Sequence, residues 1–396
     1  MADEVLPLHA DYARAIEGDG APPPWMADLR ARARGLGLWN LALPDLDDEF
    51  EGQTLSNLEF APICELIGKV PWASEAFNCQ APDVPNAAAL LRYANDDQRT
   101  EYLAPLLAGD TRSAFSMTEP AVASSDATNI ETRIERHGDR FRITGHKWYI
   151  TGAAHPDCAF HIVLGVTDPD ADKHRRHSCV IVPASTPGIL VSRENKVLGL
   201  GDTIAPVGEI HYDDVEVPVE SVLGEIGAGF AVAQVRLGPA RVHHCLRLIG
   251  ACESMIELMA ARADQRRLFG RSLADFDATQ HTIARCRVEV QQARLLTYQL
   301  AHTLDTQGEL AARQLLSMTK VAVSETAHQV ANRAVHLFGA RGLSSDTPLA
   351  GWLAYAHMFL VGDGPTETHL RQIHRFEPEP DLPVAEVLDL TWTPSP

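Results

Sequence analysis

The sequence contains no run approaching the roughly 18 uninterrupted apolar residues that a membrane-crossing helix needs, so no membrane association is expected. Positive charge is scarce: 34 Lys and Arg stand against 53 Asp and Glu, a net charge of −19. That balance argues against a nucleic-acid partner, which calls for a basic stripe. Local arginines can still recognise an anionic ligand. The seven cysteines, Cys64, Cys79, Cys158, Cys179, Cys245, Cys252 and Cys286, are scattered and include no Cys-x-x-Cys pair. Such a set argues for reduced thiols and against a disulfide framework or a zinc site, and no metal is expected. The first residues are acidic, with no basic stretch leading into an apolar one. No signal peptide is therefore read, and the cytoplasm is the expected location. No internal repeat is visible, and no Gly-x-Gly-x-x-Gly follows a strand-like run, so any nucleotide cofactor must be held without a dinucleotide-binding fold.

What is present changes texture twice along 396 residues, a length with room for about two to three folding units. From Trp25 to about Leu107 the pattern is helical. Helices are expected over Leu29–Leu38, over Leu58–Ile67 with Gly68 as a stop, and from Asp96-Asp97-Gln98 to Leu107 with Gly109 as a stop. From about Ala114 to Leu223, short runs rich in β-formers lie between turn residues: Phe141–Thr144, Trp148–Thr151, Phe160–Val166, Cys179–Val182 and Glu209–Tyr212. Helical periodicity then returns. Ile283, Cys286, Val290, Ala293, Thr297, Leu300 and Leu304 step by three and four, as do Val323, Ala327, Val330, Ala334 and Leu337, which is the seam of packed antiparallel helices. The expected fold is α+β. It has an N-terminal all-α domain (1–113), a middle antiparallel β-domain (114–228), a C-terminal four-helix bundle (229–378) and an extended proline-rich tail (379–396).

Four short segments stand out in order: Phe115 to Asp126 (FSMTEPAVASSD), Lys147 to Gly152 (KWYITG), Arg266 to Gly270 (RRLFG) and Val335 to Gly342 (VHLFGARG). Together, and over roughly residues 1 to 378, they resemble the acyl-CoA dehydrogenase family. Asn78 to Asp83, the Thr118 to Asp126 loop and Gly238 to Cys245 are similar to the subgroup fused in animals to a phosphotransferase-like domain. The resemblance implies FAD as cofactor, an acyl-CoA substrate, an electron-transfer flavoprotein as electron acceptor, and a homodimer or homotetramer.

Desaturating a thioester requires a base for the α-proton, an acceptor for the β-hydride and donors that polarise the carbonyl. The resemblance places the base at Asp363, in Leu360-Val-Gly-Asp-Gly-Pro-Thr-Glu367, with its own N–H as one carbonyl donor. Most relatives carry glutamate there, so the carboxylate here is one methylene shorter. Ala240, where some relatives place the base, cannot serve. Glu367, four residues later, is the fallback, and Asp83 a weaker candidate. By the same resemblance Phe115, Met117 and Thr118 border the isoalloxazine, Ser124 or Ser125 meets the pyrophosphate, and Trp148 and Thr151 flank the reactive ring. Arg266, Phe269, Leu273, His336 and Ala340 reach the cofactor of a neighbouring subunit, and Pro365 and Glu367 lie near the chain's own. Arg241 and Gly364 are expected at the substrate. His243 and His244 read as packing or surface residues. Two other functions stay open: a flavin oxidase of the nitroalkane oxidase type, which also uses aspartate as base, and a non-catalytic relative that binds FAD or acyl-CoA.

Overall fold

The computed structural model describes residues 1, 3–18, 23–201 and 204–377, with backbone alone at 16–18 and 237–240. The expected tail, 379–396, and the side chain of Ala240 lie outside the described residues.

Capping chemistry starts the N-terminal helices. Ser56 and Glu59 cap each other reciprocally ahead of α3 (Asn57–Gly68), and Asn95 with Gln98 does the same one residue earlier than the expected Asp96 start. The preceding helices are α1 (His9–Gly18) and α2 (Trp25–Gly35). After α3 come α4 (Ala73–Ala76), α5 (Asp83–Tyr93), α6 (Asp96–Gln98) and α7 (Ala104–Ala108), the last closed by Gly109 at φ 72°.

The middle of the chain forms a seven-stranded sheet: β1 (Arg112–Ser116), β2 (Arg133–His137), β3 (Arg140–Ile150), β4 (Cys158–Val166), β5 (His177–Pro183), β6 (Ile189–Glu194) and β7 (Gly208–Pro218). The path is β1-β4-β2-β3-β7-β6, with β5 on β4. Most pairings are antiparallel, while β1 and β2 each meet β4 in parallel. Two expected runs, 141–144 and 148–151, are one strand here. Gly145 interrupts the alternation without ending the strand: the register against β7 shifts beside it, and a Cβ there would lie 2.3 Å from Thr132 Oγ1. Strand β1 escaped the pattern because its Arg112 is buried by pairing with Glu75 and Asp83.

The C-terminal part is built from α8 (Gly229–Gln265) and α9 (Asp277–Phe338), which bends at Gly308 into two limbs. Helices α10 (Leu349–Phe359) and α11 (Thr366–Phe376) pack on α9. The expected seam is the observed one, with Cys286, Val290, Ala293, Val323, Ala327, Val330 and Ala334 sharing one core with α8. Between α8 and α9 a small hairpin, β8 (Arg267–Leu268) and β9 (Arg271–Ser272), projects outward.

Helix α8 is set against α3 by two glycines. A Cβ on Gly68 would lie 2.3 Å from Arg247 O, and one on Gly250 2.0 Å from Glu65 O. Backbones in such contact cannot admit a side chain without separating. Gly250→Val is therefore expected to destabilise the protein by about 3 kcal/mol, read as a lower midpoint in urea. An unchanged midpoint would show that the two helices have room to spare.

Candidate active site

A cleft of about 2750 Å³ runs between the sheet and the C-terminal helices. Its first wall is the loop that leaves β1. Glu119 anchors that loop from beneath, 4% exposed. It accepts hydrogen bonds from Lys147 Nζ (2.9 Å), Thr132 Oγ1 (2.6 Å) and the N–H groups of Glu131 (2.8 Å) and Thr132 (2.9 Å). Burial pushes the Glu119 carboxyl up, but Lys147 and these donors outweigh it and hold it below the usual range. Lys147 is fully buried and also donates to Met117 O and Leu164 O, both at 2.8 Å. Its burial lowers the ammonium to about 8 against the pull of Glu119.

With the loop fixed, Thr118 Oγ1 donates to Trp148 O at 2.5 Å and Trp148 N–H returns a bond to Thr118 O at 3.0 Å. Phe115, Met117, Thr118, Ser124, Ser125, Trp148 and Thr151 thus line one wall. Ser124 also has a turn to hold, since its Oγ accepts Glu119 N–H at 2.9 Å. Ser125 beside it is exposed.

The facing wall centres on Asp363 and Gly364, two successive residues with positive φ (55° and 102°) between α10 and α11. Glycine takes that region freely and aspartate tolerates it better than most residues. Three helices grip the turn. From α8, Arg241 Nε donates to Asp363 O at 3.1 Å; from α11, His369 Nε2 meets the same oxygen at 3.2 Å. From α9, Lys320 Nζ donates to Phe359 O and to Gly364 O, the latter at 3.3 Å. The Asp363 carboxylate, 19% exposed, lies with Oδ2 at 2.6 Å from His244 Nδ1. Burial pushes this carboxyl up, but His244 first, then Arg241 and Arg236, hold it well below the usual range. Burial lowers His244, which Asp363 only partly offsets, so the pair rests as a carboxylate beside a neutral imidazole.

Arg241, Gly364 and Pro365 line the cleft with Asp363. Glu367 is exposed in the first turn of α11 and does not line it, which removes the fallback base. Asp83 is 3% exposed and committed to Arg112, Ser113 and Gln80, a structural role that ends its candidacy. Arg266, Phe269, Leu273, His336 and Ala340 also lie off the cleft of their own chain, around the hairpin and the end of α9. Phe269 forms the hairpin tip and is 89% exposed. Away from the cleft, His146, Glu209 and His211 bring possible ligand atoms within 4.8 Å of one another, but Arg193 already holds that carboxylate at 2.6 Å.

The sequence reading missed His244. It stands three residues after Arg241, a spacing that puts both on one helical face, and that was the available signal. His243 matches the packing role expected of it: its ring meets Phe60 at 5.2 Å and burial lowers it to about 3. Arg236 was also missed. It lies half-buried over the Phe115 ring at 4.4 Å, donates to Asn86 Oδ1 at 2.8 Å, and is lowered to about 10 by desolvation.

Three family models match the chain: the N-terminal domain of acyl-CoA dehydrogenase over residues 1–110, the middle domain over 114–215 and the C-terminal domain over 227–377. A probable acyl-CoA dehydrogenase of Mycobacterium tuberculosis, FadE2, is 46% identical over 382 residues, 95% of this chain and 92% of that one. Mouse acyl-CoA dehydrogenase family member 10 is 43% identical over 381 residues, again 95% of this chain. The match covers only 36% of the mouse protein, so the chain spans about a third of that relative's length. Among solved structures, a candidate acyl-CoA dehydrogenase from Mycobacterium abscessus superposes with a TM-score of 0.91 at 41% identity, covering 95% of this chain and 94% of that one.

The Glu119–Lys147 pair makes a prediction about the first wall. Removing one partner of a buried pair strands the other charge, which costs about 3–5 kcal/mol. Lys147→Met is expected to lose that much stability in urea and to loosen the loop at 117–125, seen as faster amide exchange there. Wild-type exchange in that loop would mean the pair does not hold it.

Proposed function

The chain belongs to the acyl-CoA dehydrogenase family, and on that premise we propose that it desaturates an acyl-CoA thioester between Cα and Cβ with Asp363 as the base. FAD is the family's cofactor and, when bound, accepts the β-hydride. The first wall suits it: Trp148 offers a flat indole, residues 117 and 118 offer backbone edges, and Thr151 and Ser125 offer hydroxyls. A cleft of this volume has room for a dinucleotide and a thioester side by side.

The observation that carries the reading is a charged carboxylate at the cleft surface, on a turn that three helices hold still. Asp363 takes the α-proton. Its N–H donates to the thioester oxygen, and Arg241 steadies the turn by binding the Asp363 carbonyl, in the peptide that follows. The missing methylene relative to glutamate is made up by the backbone, since the positive-φ turn sets where the side chain starts. The protein is a homodimer or homotetramer. Arg266 and the exposed Phe269 enter the neighbour's cofactor site, where the guanidinium fork suits a diphosphate. Electrons leave to an electron-transfer flavoprotein.

Anaerobic titration with a panel of acyl-CoA thioesters tests the reading through the visible flavin absorbance. Bleaching by one class of acyl chain is expected. A yellow protein that no thioester bleaches, but a nitroalkane does, would replace the reading with the oxidase. Asp363→Asn is expected to keep its FAD and to lose bleaching by at least about 1000-fold; retained bleaching removes Asp363 from the mechanism. Arg266→Ala is expected to purify with less FAD, and a fully loaded mutant would count against a cofactor site shared between subunits.

A further inference from the structure

We infer that His244 is a positioning residue for the base: its imidazole, donating from Nδ1 to Asp363 Oδ2 at 2.6 Å, aims Oδ1 at the α-proton. The inference rests on the reading of Asp363 given above.

An aspartate on a fixed turn still has two side-chain torsions to settle. Nothing in the grip on the backbone settles them, because Arg241 and His369 both bind the Asp363 carbonyl. The histidine does. It is itself held by α8 and by the Phe359 ring, edge-on at 4.7 Å. One carboxylate oxygen is thereby committed and the other left for substrate. The side chain that is one methylene too short for the usual arrangement gains a fixed aim in exchange.

The charge state decides whether the arrangement works. In the neutral form, Nδ1–H donates to Oδ2 and keeps its proton. The Cα–H bond then breaks, its proton bonds to Asp363 Oδ1, and its electron pair becomes the Cα–Cβ double bond, the β-hydrogen leaving as hydride to the acceptor that bound FAD would supply. In the cationic form the same contact becomes an ion pair that stabilises the resting carboxylate and weakens it as a base. The groups that bear on His244 are Asp363, which favours the cation, and Arg236, Arg247 and His243 on its own helix, which oppose it. Arg241 on α8, Lys320 on α9 and His369 on α11 act on it through Asp363. Burial tips the balance to neutral. Activity should therefore be full at neutral pH and fall as pH drops below the ordinary histidine value of roughly 6.5.

The test uses holoenzyme of the wild type, His244→Gln, His244→Phe and Asp363→Asn, each checked for FAD content. Flavin bleaching by the preferred acyl-CoA is measured against pH. In parallel, deuterium uptake from D2O at Cα is measured with a 3-thia-acyl-CoA, whose sulfur replaces the β-carbon so that only the proton step can occur. Glutamine keeps a donor to Oδ2 but cannot titrate. His244→Gln is expected to stay within about 10-fold of wild type at pH 8 and to lose the acid limb in both measurements. His244→Phe, with no donor, is expected to lose about 100-fold at every pH, the scale of a misaimed reactive group. A His244→Phe enzyme equal to wild type, or an acid limb retained in His244→Gln, overturns the inference while Asp363 stands. A wild type that neither bleaches nor exchanges overturns the reading of Asp363 and this inference with it.

Discussion

The hydrogen bonds that close on the carbonyl of Asp363 are the constraint on which the rest of the site depends. A carboxylate in a partly closed cleft that is to act as the proposed base must be ionised before substrate arrives and must still have a free oxygen to offer. The Asp363-Gly364 turn meets both demands because its backbone is held from α8, α9 and α11 together, while among the described residues the carboxylate is left to His244 as its one hydrogen-bond partner. Positive φ at two successive residues is an uncommon geometry that persists only where the surroundings over-determine it. Here those surroundings are Arg241, Lys320 and His369, and of the basic groups nearby it is His244, Arg241 and Arg236 that keep the carboxyl ionised against its burial.

The opposite wall solves a different problem with similar means. A loop of sixteen residues between β1 and β2 has to present backbone edges at fixed depth, and a solvated loop would not. Lys147 and Glu119, buried beneath it, tie Met117, Leu164, Glu131 and Thr132 to one point. Every donor of the ammonium and most acceptor positions of the carboxylate are used, which is the condition under which a buried pair holds a structure together. The gap between the walls is in turn set by the seating of α8, where two glycines bring its backbone onto α3. A helix seated farther out would carry Arg241 and His244 away from the turn.

Elements with regular apolar periodicity were legible in the sequence: α3, both limbs of α9 and the β-rich middle all lie where their spacing placed them. Strand β1 was hidden because burial there is achieved by pairing Arg112 with two carboxylates, and a local pattern cannot show a partner 29 or 37 residues away. Strand β3 was split because a glycine reads locally as a stop, whereas Gly145 is required by the approach of Thr132 from β2's lead-in. The same limit separates the two aspartates. Asp83 and Asp363 both looked like turn acids beside Pro or Gly. One proved to be the counter-ion of a buried arginine and the other faces the cleft.

By itself, then, the sequence determined the α+β layout, the family to which the chain belongs, and the place of Asp363 beside a glycine that permits its turn. These follow from periodicity, turn chemistry and short contiguous motifs, all of which are local in the chain. Only the tertiary structure decided that His244 rather than His243 meets the carboxylate, that Glu367 faces solvent, and that Asp363 is held as an anion. Each of those depends on which side chains arrive from distant helices, and on how much water their packing excludes. Distance in space, and the dielectric it creates, are not written in any one segment.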